Sequence, residues 1–534
     1  MKQFPSTLQG MRQQYRPSLP RVLQDLLAVH LSPVSVASQN PDVQAHFPST
    51  SGLPFLTADR STTKPGKVVR VGVVFSGGQA AGGHTVVCGL FDALRGVHPD
   101  STLVGFLGGP SGIVRCETQE LDERILLPYR NQGGFDLLGS GRTKIETEEQ
   151  FAASLNTMNQ LKLDGLVIVG GDDSNTNAAL LAEYFAVKGC ATKVVGVPKT
   201  IDGDLKNERV AISFGFDTAC KTYSETIGNI ARDALSARKY YHFIRLMGRS
   251  ASHIALECAL ATQPTYTVIG EEVFALNKTL KQVVGDIADL VGKRADAGKE
   301  FGVILIPEGL IEFIPEINVL IQELNQILVE VGAVDHRSVT QKLSTSSKEC
   351  FNGLPELIQR QLLLSRDPHG NVQVSFIETE KLLMAMVADE LIKRSKEGRY
   401  KGKFNPISHF LGYEGRSGFP SNFDCNYCYS LGFTAALLIC SGHSGYMCFV
   451  DRLEHPVIDW EVGGVPLSSL MHVEIRKGMP KPVIKKALVD LRGKAFQRFA
   501  EQRERWTRDD LFRFPGPIQF FGPSELIDSH PFSL

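Results

Sequence analysis

VVRVGVVFSGGQAAGG, residues 68–83, passes directly from a run of β-branched and apolar side chains into a loop of small residues. A continuous apolar run suits a strand covered on both faces, as in a parallel sheet. Gly77 and Gly78 at its carboxyl end let backbone amides approach an anion with no side chain in the way. The same pattern recurs downstream, in residues 101–107 (STLVGFL), 164–170 (DGLVIVG) and 193–197 (KVVGV). Each is a short apolar run closed by glycine or polar residues and followed by a helical stretch, which predicts the strands of one parallel α/β sheet.

Beyond Lys239 a second set of such runs follows: YHFIRLMG, TYTVIG, FGVILIPEG and ISHFLGYEG. The prediction is therefore α/β, with two doubly wound, Rossmann-like parallel-sheet domains. The first spans residues 67–235, and the second residues 236–315 with 404–450. Between them, residues 316–403 carry apolar residues at helical spacing in INVLIQELNQILVEV and IETEKLLMAMVADELIKRSKEG and are predicted to be a helical insertion. Residues 1–66 are rich in Pro, Ser, Gln and Thr and are expected to be an extension, wrapped on the body or partly disordered. Residues 451–534 are expected to pack on the body. Residues 425–442 and one or more amphipathic helices over residues 483–505 are both predicted to lie on the first sheet's side.

Composition narrows the function classes. At 534 residues the chain is too long for a single compact core. Its 57 basic and 58 acidic residues nearly cancel, so a nucleic-acid partner is not expected and any anion is bound locally. The sequence contains no run of eighteen apolar residues, and its start lacks the order of a secretory signal, so a membrane partner is not expected. Ten scattered cysteines point to a reducing compartment, hence a cytoplasmic address. Cys425 and Cys428 have CxxC spacing with no second pair, which reads as buried thiols.

In an open parallel sheet, ligands bind beyond the carboxyl ends of the strands. There the third run ends in GGDDSNTNAA, with Asp172 and Asp173 at the mouth of a helix. Paired carboxylates suit Mg²⁺, a hard cation that binds through one or two carboxylates plus substrate phosphate. The fourth run ends in PKTIDGD, which packs Lys199, Thr200, Ile201, Asp202 and Asp204 into one short loop. A loop that merely turned would not need a lysine, a hydroxyl and two carboxylates. The second set ends in MGR (Met247, Gly248, Arg249), PEG (containing Glu308) and GYEGRSG (containing Tyr413, Glu414, Gly415 and Arg416). Arg142 and Lys144 in GSGRTK are further candidate cations for a phosphate, or surface charges.

SGG, GGDD, PKTIDGD, MGR, PEG and YEGR, in this order, resemble the phosphofructokinase family. NQGGFDLLGSGRTKIET and KYYHFIRLMGRSASHIALECAL are similar to its long, plant-type, pyrophosphate-dependent branch, and to the catalytic beta subunits there. The resemblance implies reversible phosphoryl transfer from diphosphate to the 1-hydroxyl of fructose 6-phosphate, with Mg²⁺ as cofactor. It implies that Asp202 is the general base, that Thr200, Ile201 and Asp202 line the reacting end of the sugar, and that Asp172 holds the metal. Gly77 would place a backbone amide on the diphosphate, and Lys199 would neutralise it. Met247, Gly248 and Arg249 would contact the sugar, Glu308 would accept from a hydroxyl, and Tyr413, Glu414, Gly415 and Arg416 would hold the 6-phosphate. Lys239 and Tyr240 match positions that reach a neighbouring subunit's substrate, which implies a homodimer or a heterotetramer with a regulatory alpha subunit. The branch includes members activated by fructose 2,6-bisphosphate.

In ATP-using relatives the positions of Asp173 and Lys199 are typically glycine. Asp173 would put a carboxylate where an α-phosphate belongs, and Lys199 would support diphosphate. The loop also departs from the family, which often has a proline in place of one of its alanines and frequently an arginine at the position of Gly78. Alternatives are an ATP-dependent enzyme on the same fold and a regulatory subunit without chemistry. A nicotinamide-dependent oxidoreductase would need GxGxxG and its ribose-binding acid.

Overall fold

The strand Arg70–Phe75 is buried along its length, with Val71, Val73, Val74 and Phe75 fully covered. It is the third strand from one edge of a nine-stranded sheet in a computed structural model that describes residues 6–36, 40–331, 336–364, 372–476 and 479–534. Five neighbouring strands are parallel: Tyr446–Asp451, Lys193–Pro198, Gly165–Gly170, Arg70–Phe75 and Thr102–Phe106. Their register sets the site. Phe75 lies opposite Val169, and Gly170 opposite Pro198. The loops that begin at Ser76, Gly171 and Lys199 therefore leave the sheet side by side.

Four parallel strands form the second sheet, in the order Pro406–Leu411, Tyr241–Leu246, Gly302–Pro307 and Tyr266–Thr267. Leu246 is opposite both Pro307 and Leu411, so MGR, PEG and GYEGR also emerge together. The stretch between the strands holds helices Pro315–Val331, His336–Lys342, Thr345–Asn352, Glu356–Leu364 and Thr379–Lys396, and residues 332–335 and 365–371 within it lie outside the described residues. Of TYTVIG only Tyr266–Thr267 is strand. No helix among the described residues is long and apolar enough to cross a membrane.

Several boundaries differ from the sequence reading. The extension is part of the sheet: Val29–Val36 and Pro54–Arg60 pair antiparallel, and the latter joins Glu461–Pro466. Further upstream, the buried Arg12 donates to the Asn422 side chain at 2.8 Å and to the Pro420 carbonyl at 2.9 Å. The second domain also ends sooner than residue 450. Helix Asn422–Cys440 packs against helix Gly83–Val97, where a Cβ on Gly432 would lie 2.5 Å from the Leu90 nitrogen, and Tyr446–Asp451 belongs to the first sheet. Apolar residues alone could not say which sheet would cover them.

Residues 483–505 are helical only from Lys494 on, and that helix does not lie on the first sheet's side. Met471–Arg476 and Met479–Ile484 form a hairpin, a strap follows, and helix Lys494–Asp509 packs against helix His253–Thr262. Phe496, Phe499 and Trp506 are the buried face of that helix, each contributing on the order of 1.5–3 kcal/mol by area removed from water.

Candidate active site

The first loop is held by its neighbours. Ser76 bridges Gly141, and the Ser76 hydroxyl accepts from Ser174 Oγ at 2.8 Å, which ties the loop to the helix that starts at Asp172. Gly77 has a φ of +86°, which favours glycine. Its N–H donates to the Gly141 carbonyl at 2.9 Å, so the expectation that this amide serves the diphosphate is corrected. What Gly77 offers is space: a Cβ there would lie 3.4 Å from Lys199 Nζ. At Gly78 a Cβ would collide with the Arg416 guanidinium. Arg416 reaches across from the second sheet, donating to the Gln79 carbonyl and to Gln79 Oε1, each at 3.3 Å. The position where family members frequently carry arginine is thus filled by an arginine from elsewhere in the chain.

Asp172 and Asp173 open the helix Asp172–Val187, where its positive end favours carboxylates. Each faces a different lysine. Lys144 Nζ is 3.1 Å from Asp173, whose side chain is half exposed, and Lys486 Nζ is 3.7 Å from Asp172.

The loop after Pro198 concentrates the remaining charge. Lys199 is buried, and burial, then Arg416, pull its ammonium down to about 8 against the opposing pull of Asp202 and Asp172. Thr200 accepts through its hydroxyl from the Asp202 amide at 3.1 Å, and its carbonyl accepts from Ser213 Oγ at 2.9 Å. Ile201 is buried beneath them. Burial raises the Asp202 carboxyl above its ordinary range, while Arg249, Lys486, Lys199 and Arg416 act to lower it. Asp204 is buried beside Asp202 and Asp172, and is pushed up to about 7, first by burial and then by those two carboxylates.

Carboxylates at a strand end suit a hard divalent cation such as Mg²⁺, which binds through one or two of them plus substrate phosphate. Among the described residues no cluster of three or more His, Cys, Asp or Glu has metal-binding geometry. Asp172 and Asp204 are the residues that could hold such a cation. Cys425 and Cys428 are buried free thiols.

On the second sheet the arrangement is tighter. Glu308 is buried, accepts from the Gly248 N–H at 3.1 Å and lies 4.0 Å from Arg245. Burial and then Asp202 push it up to about 7, and the Arg416 contacts with Gln79 bring the two loop sets together. Arg245 is itself buried, 2.7 Å from Glu380, over the Phe410 ring, and donating to the Ser375 and Ile377 carbonyls. Met247 donates through its amide to Leu411, and Gly248 has a φ of +123°. Arg249 is exposed at the loop tip, and its carbonyl leaves no room for a Cβ on Gly309. Tyr413 and Glu414 are exposed, Gly415 packs under the Tyr223 ring, and Arg416 sits over Tyr413 at 5.3 Å.

Lys239 and Tyr240 are the predicted residues that the structure does not bring here. They precede strand Tyr241–Leu246 at its amino end, whereas MGR leaves its carboxyl end, a strand length of about 20 Å away. Lys239 Nζ is 5.1 Å from the Tyr240 ring. Sequence reasoning missed Lys486, which lies in a segment without a strand-end motif and whose only signal was the KK pair at Lys485 and Lys486.

Comparison with known proteins agrees with this geometry. The family model described as phosphofructokinase matches residues 70–439. The chain belongs to the phosphofructokinase family. Within that family it is 52% identical to a pyrophosphate–fructose 6-phosphate 1-phosphotransferase of Treponema pallidum, over 98% of this chain and 95% of that one. It is 53% identical to the beta 1 subunit of the same-named enzyme of Arabidopsis thaliana, over 97% and 92% of the two chains. The alpha 2 subunit of that plant is 45% identical, over 97% and 87%. A solved pyrophosphate-dependent phosphofructokinase from Marinobacter aquaeolei shares the fold at a TM-score of 0.54 and 16% identity, covering 82% of this chain and 91% of that one.

Proposed function

We propose that this phosphofructokinase is a pyrophosphate:fructose 6-phosphate 1-phosphotransferase, reversibly transferring a phosphoryl group from diphosphate to the sugar 1-hydroxyl. The observation that carries the reading is the convergence of the two sets of strand-end loops, where Arg416 from the second sheet reaches Gln79 on the first and the buried Lys199 shares a loop with Asp202. Phosphoryl transfer requires alignment and neutralisation of charge more than covalent work. Asp202 takes the proton of the 1-hydroxyl; burial, which raises its carboxyl, makes it a stronger base than an ordinary aspartate. Lys199 and Arg249 neutralise the transferring group. Mg²⁺ bound by Asp172, with Asp204 beside it, would supply further charge neutralisation on the phosphates. Glu308, Met247 and Gly248 orient the sugar, and Tyr413 to Arg416 hold its 6-phosphate.

Asp173 supports diphosphate over ATP, since a carboxylate at the α-phosphate position repels by up to roughly 4 kcal/mol at 4 Å and an effective dielectric near 20. Its exposure and its partner Lys144 reduce that figure. Retention of Asp202 and Lys199 favours a catalytic over a regulatory subunit. We further propose a cytoplasmic enzyme that works as a homodimer or with an alpha-type subunit, with Lys239 and Tyr240 serving the neighbour's substrate. The test is a coupled assay of the purified chain alone with fructose 6-phosphate and either magnesium diphosphate or magnesium ATP. Turnover with diphosphate and little with ATP is expected; preference for ATP would replace this reading by its ATP-dependent rival, and no turnover with either donor even after an alpha-type subunit is added would replace it by the regulatory one.

A further inference from the structure

The strap that follows the 471–484 hairpin is pinned across the mouth of the site. The Ile484 amide donates to Thr176 Oγ1 at 3.3 Å, on the helix that begins with Asp172. The Lys485 amide donates to the Leu470 carbonyl at 3.1 Å, and the Ala487 amide to the Asp204 carbonyl at 2.8 Å. The Ala487 carbonyl is 2.9 Å from His253 Nε2, and the Val489 amide donates to Glu271 at 3.0 Å. The backbone on both sides of residue 486 is thereby tied to both half-sites.

Lys486 alone of this stretch sends a charge inward. Its ammonium donates to Ser250 Oγ at 2.8 Å, next to Arg249, and stands 3.7 Å from Asp172 Oδ2. The second distance is an ion pair but not a hydrogen bond. Among the described residues Ser250 is its one hydrogen-bond acceptor, so the three-donor ammonium has capacity left over. An ion pair a third exposed adds ~0–1 kcal/mol at most, little to a strap already fixed by its backbone. A cation on Asp172 would moreover repel the ammonium and leave it in need of another anion.

We propose that Lys486 is a ligand of the donor phosphate, supplied to the strand-end site by the C-terminal strap. The inference rests on the proposed diphosphate chemistry and adds to it a third cation beside Lys199 and Arg249. When Asp172 takes the metal, Lys486 turns from it to a phosphate oxygen while Ser250 keeps the ammonium in place. The strap then makes diphosphate binding depend on a residue more than 280 positions away from Lys199, since 486 − 199 = 287.

The experiment is calorimetric titration of sodium diphosphate into the full chain, with Mg²⁺ and with a chelator, for wild type, Lys486→Met and Lys486→Arg. It is paired with KM values for diphosphate and fructose 6-phosphate. Loss of a charged hydrogen bond should weaken diphosphate binding and raise its KM about ten- to a hundredfold. The sugar KM should stay within about threefold, and arginine should restore most of the loss. Ser250→Ala, which leaves the charge and removes only its anchor, should give a smaller shift in the same direction. Unchanged diphosphate affinity in Lys486→Met, with only the Mg²⁺ requirement altered, would make Lys486 a positioning residue for Asp172 and overturn the proposal. A wild type that binds no diphosphate would overturn the functional reading itself, an outcome separate from a wild type and a methionine variant that bind it equally.

Discussion

The two facing loop sets are built on different principles. On the nine-stranded sheet, Asp172, Lys199, Asp202 and Asp204 bring both signs of charge together in a buried space where few of them are hydrogen-bonded to one another, and burial displaces Lys199 and Asp204 toward neutrality. On the four-stranded sheet, Glu308 and Arg245 are enclosed in a network with Gly248, Glu380, Ser375 and Ile377. The first side is arranged to receive charge and the second to keep a shape. A highly charged diphosphate needs the former; a sugar recognised by its hydroxyls needs the latter.

The sharpest way to break this comparison is Asp202, which sits on the charge-receiving side yet is proposed to act on the sugar. Asp202→Ala should lower kcat by at least ~10²–10⁴-fold with both KM values within a small factor, since positioned proton transfer contributes that much. Steady-state kinetics with each substrate varied would check it, and a loss confined to KM would assign the base elsewhere.

Next in size is donor choice. Lys199→Gly should depress kcat/KM for diphosphate by about a hundredfold, as expected for the loss of a buried cation from a phosphate. Asp173→Gly should let ATP use appear. Because Lys144 already offsets part of the Asp173 charge, the gain should be about ten- to a hundredfold rather than the thousandfold of an unscreened pair. Comparing kcat/KM for both donors across wild type, the single variants and the double variant separates the two effects, and unchanged values in every variant would place donor choice elsewhere.

A change on the shape-keeping side should act on the sugar alone. Glu308→Gln preserves size and the oxygen that can accept from Gly248, and should raise the KM for fructose 6-phosphate about tenfold while leaving that for diphosphate alone. An equal rise in both would mean that the two sides are not separable.

The smallest effect concerns a carboxylate remote from both loop sets. Glu257 is buried, accepts from the Phe532 and Ser533 amides at 2.6 and 2.9 Å, and is pushed up to about 7 chiefly by burial. A folded-state value above the unfolded one contributes stability that is complete below the unfolded value and lost as pH rises through about 7. In metal-free protein the Tm of wild type should therefore fall from pH 5 to pH 8 more than that of Glu257→Gln, by a few degrees. Parallel pH profiles in thermal denaturation would show that this carboxylate does not carry the dependence.

The strand ends were legible in the sequence because a buried parallel strand must be apolar throughout and must stop where its backbone reaches ligand or solvent. SGG, GGDD, PKTIDGD, MGR, PEG and YEGR could therefore be located, and assigned to two α/β units, from local pattern. What local pattern does not contain is which sheet a given apolar run joins. Tyr446–Asp451 pairs with Lys193–Pro198, and the strands Val29–Val36 and Pro54–Arg60 extend the first sheet through Glu461–Pro466, because register and packing supplied partners remote in the chain. The same holds at the site. Gly77 lost its assigned amide to Gly141, Arg416 came to fill the space over Gly78, and Lys486 arrived beside Asp172, each through a contact between residues far apart in sequence. A residue's chemistry is written at its position, whereas its neighbours are chosen by the packing of the whole chain, so the sequence by itself determined which groups stand at the strand ends and only the tertiary structure decided which of them meet.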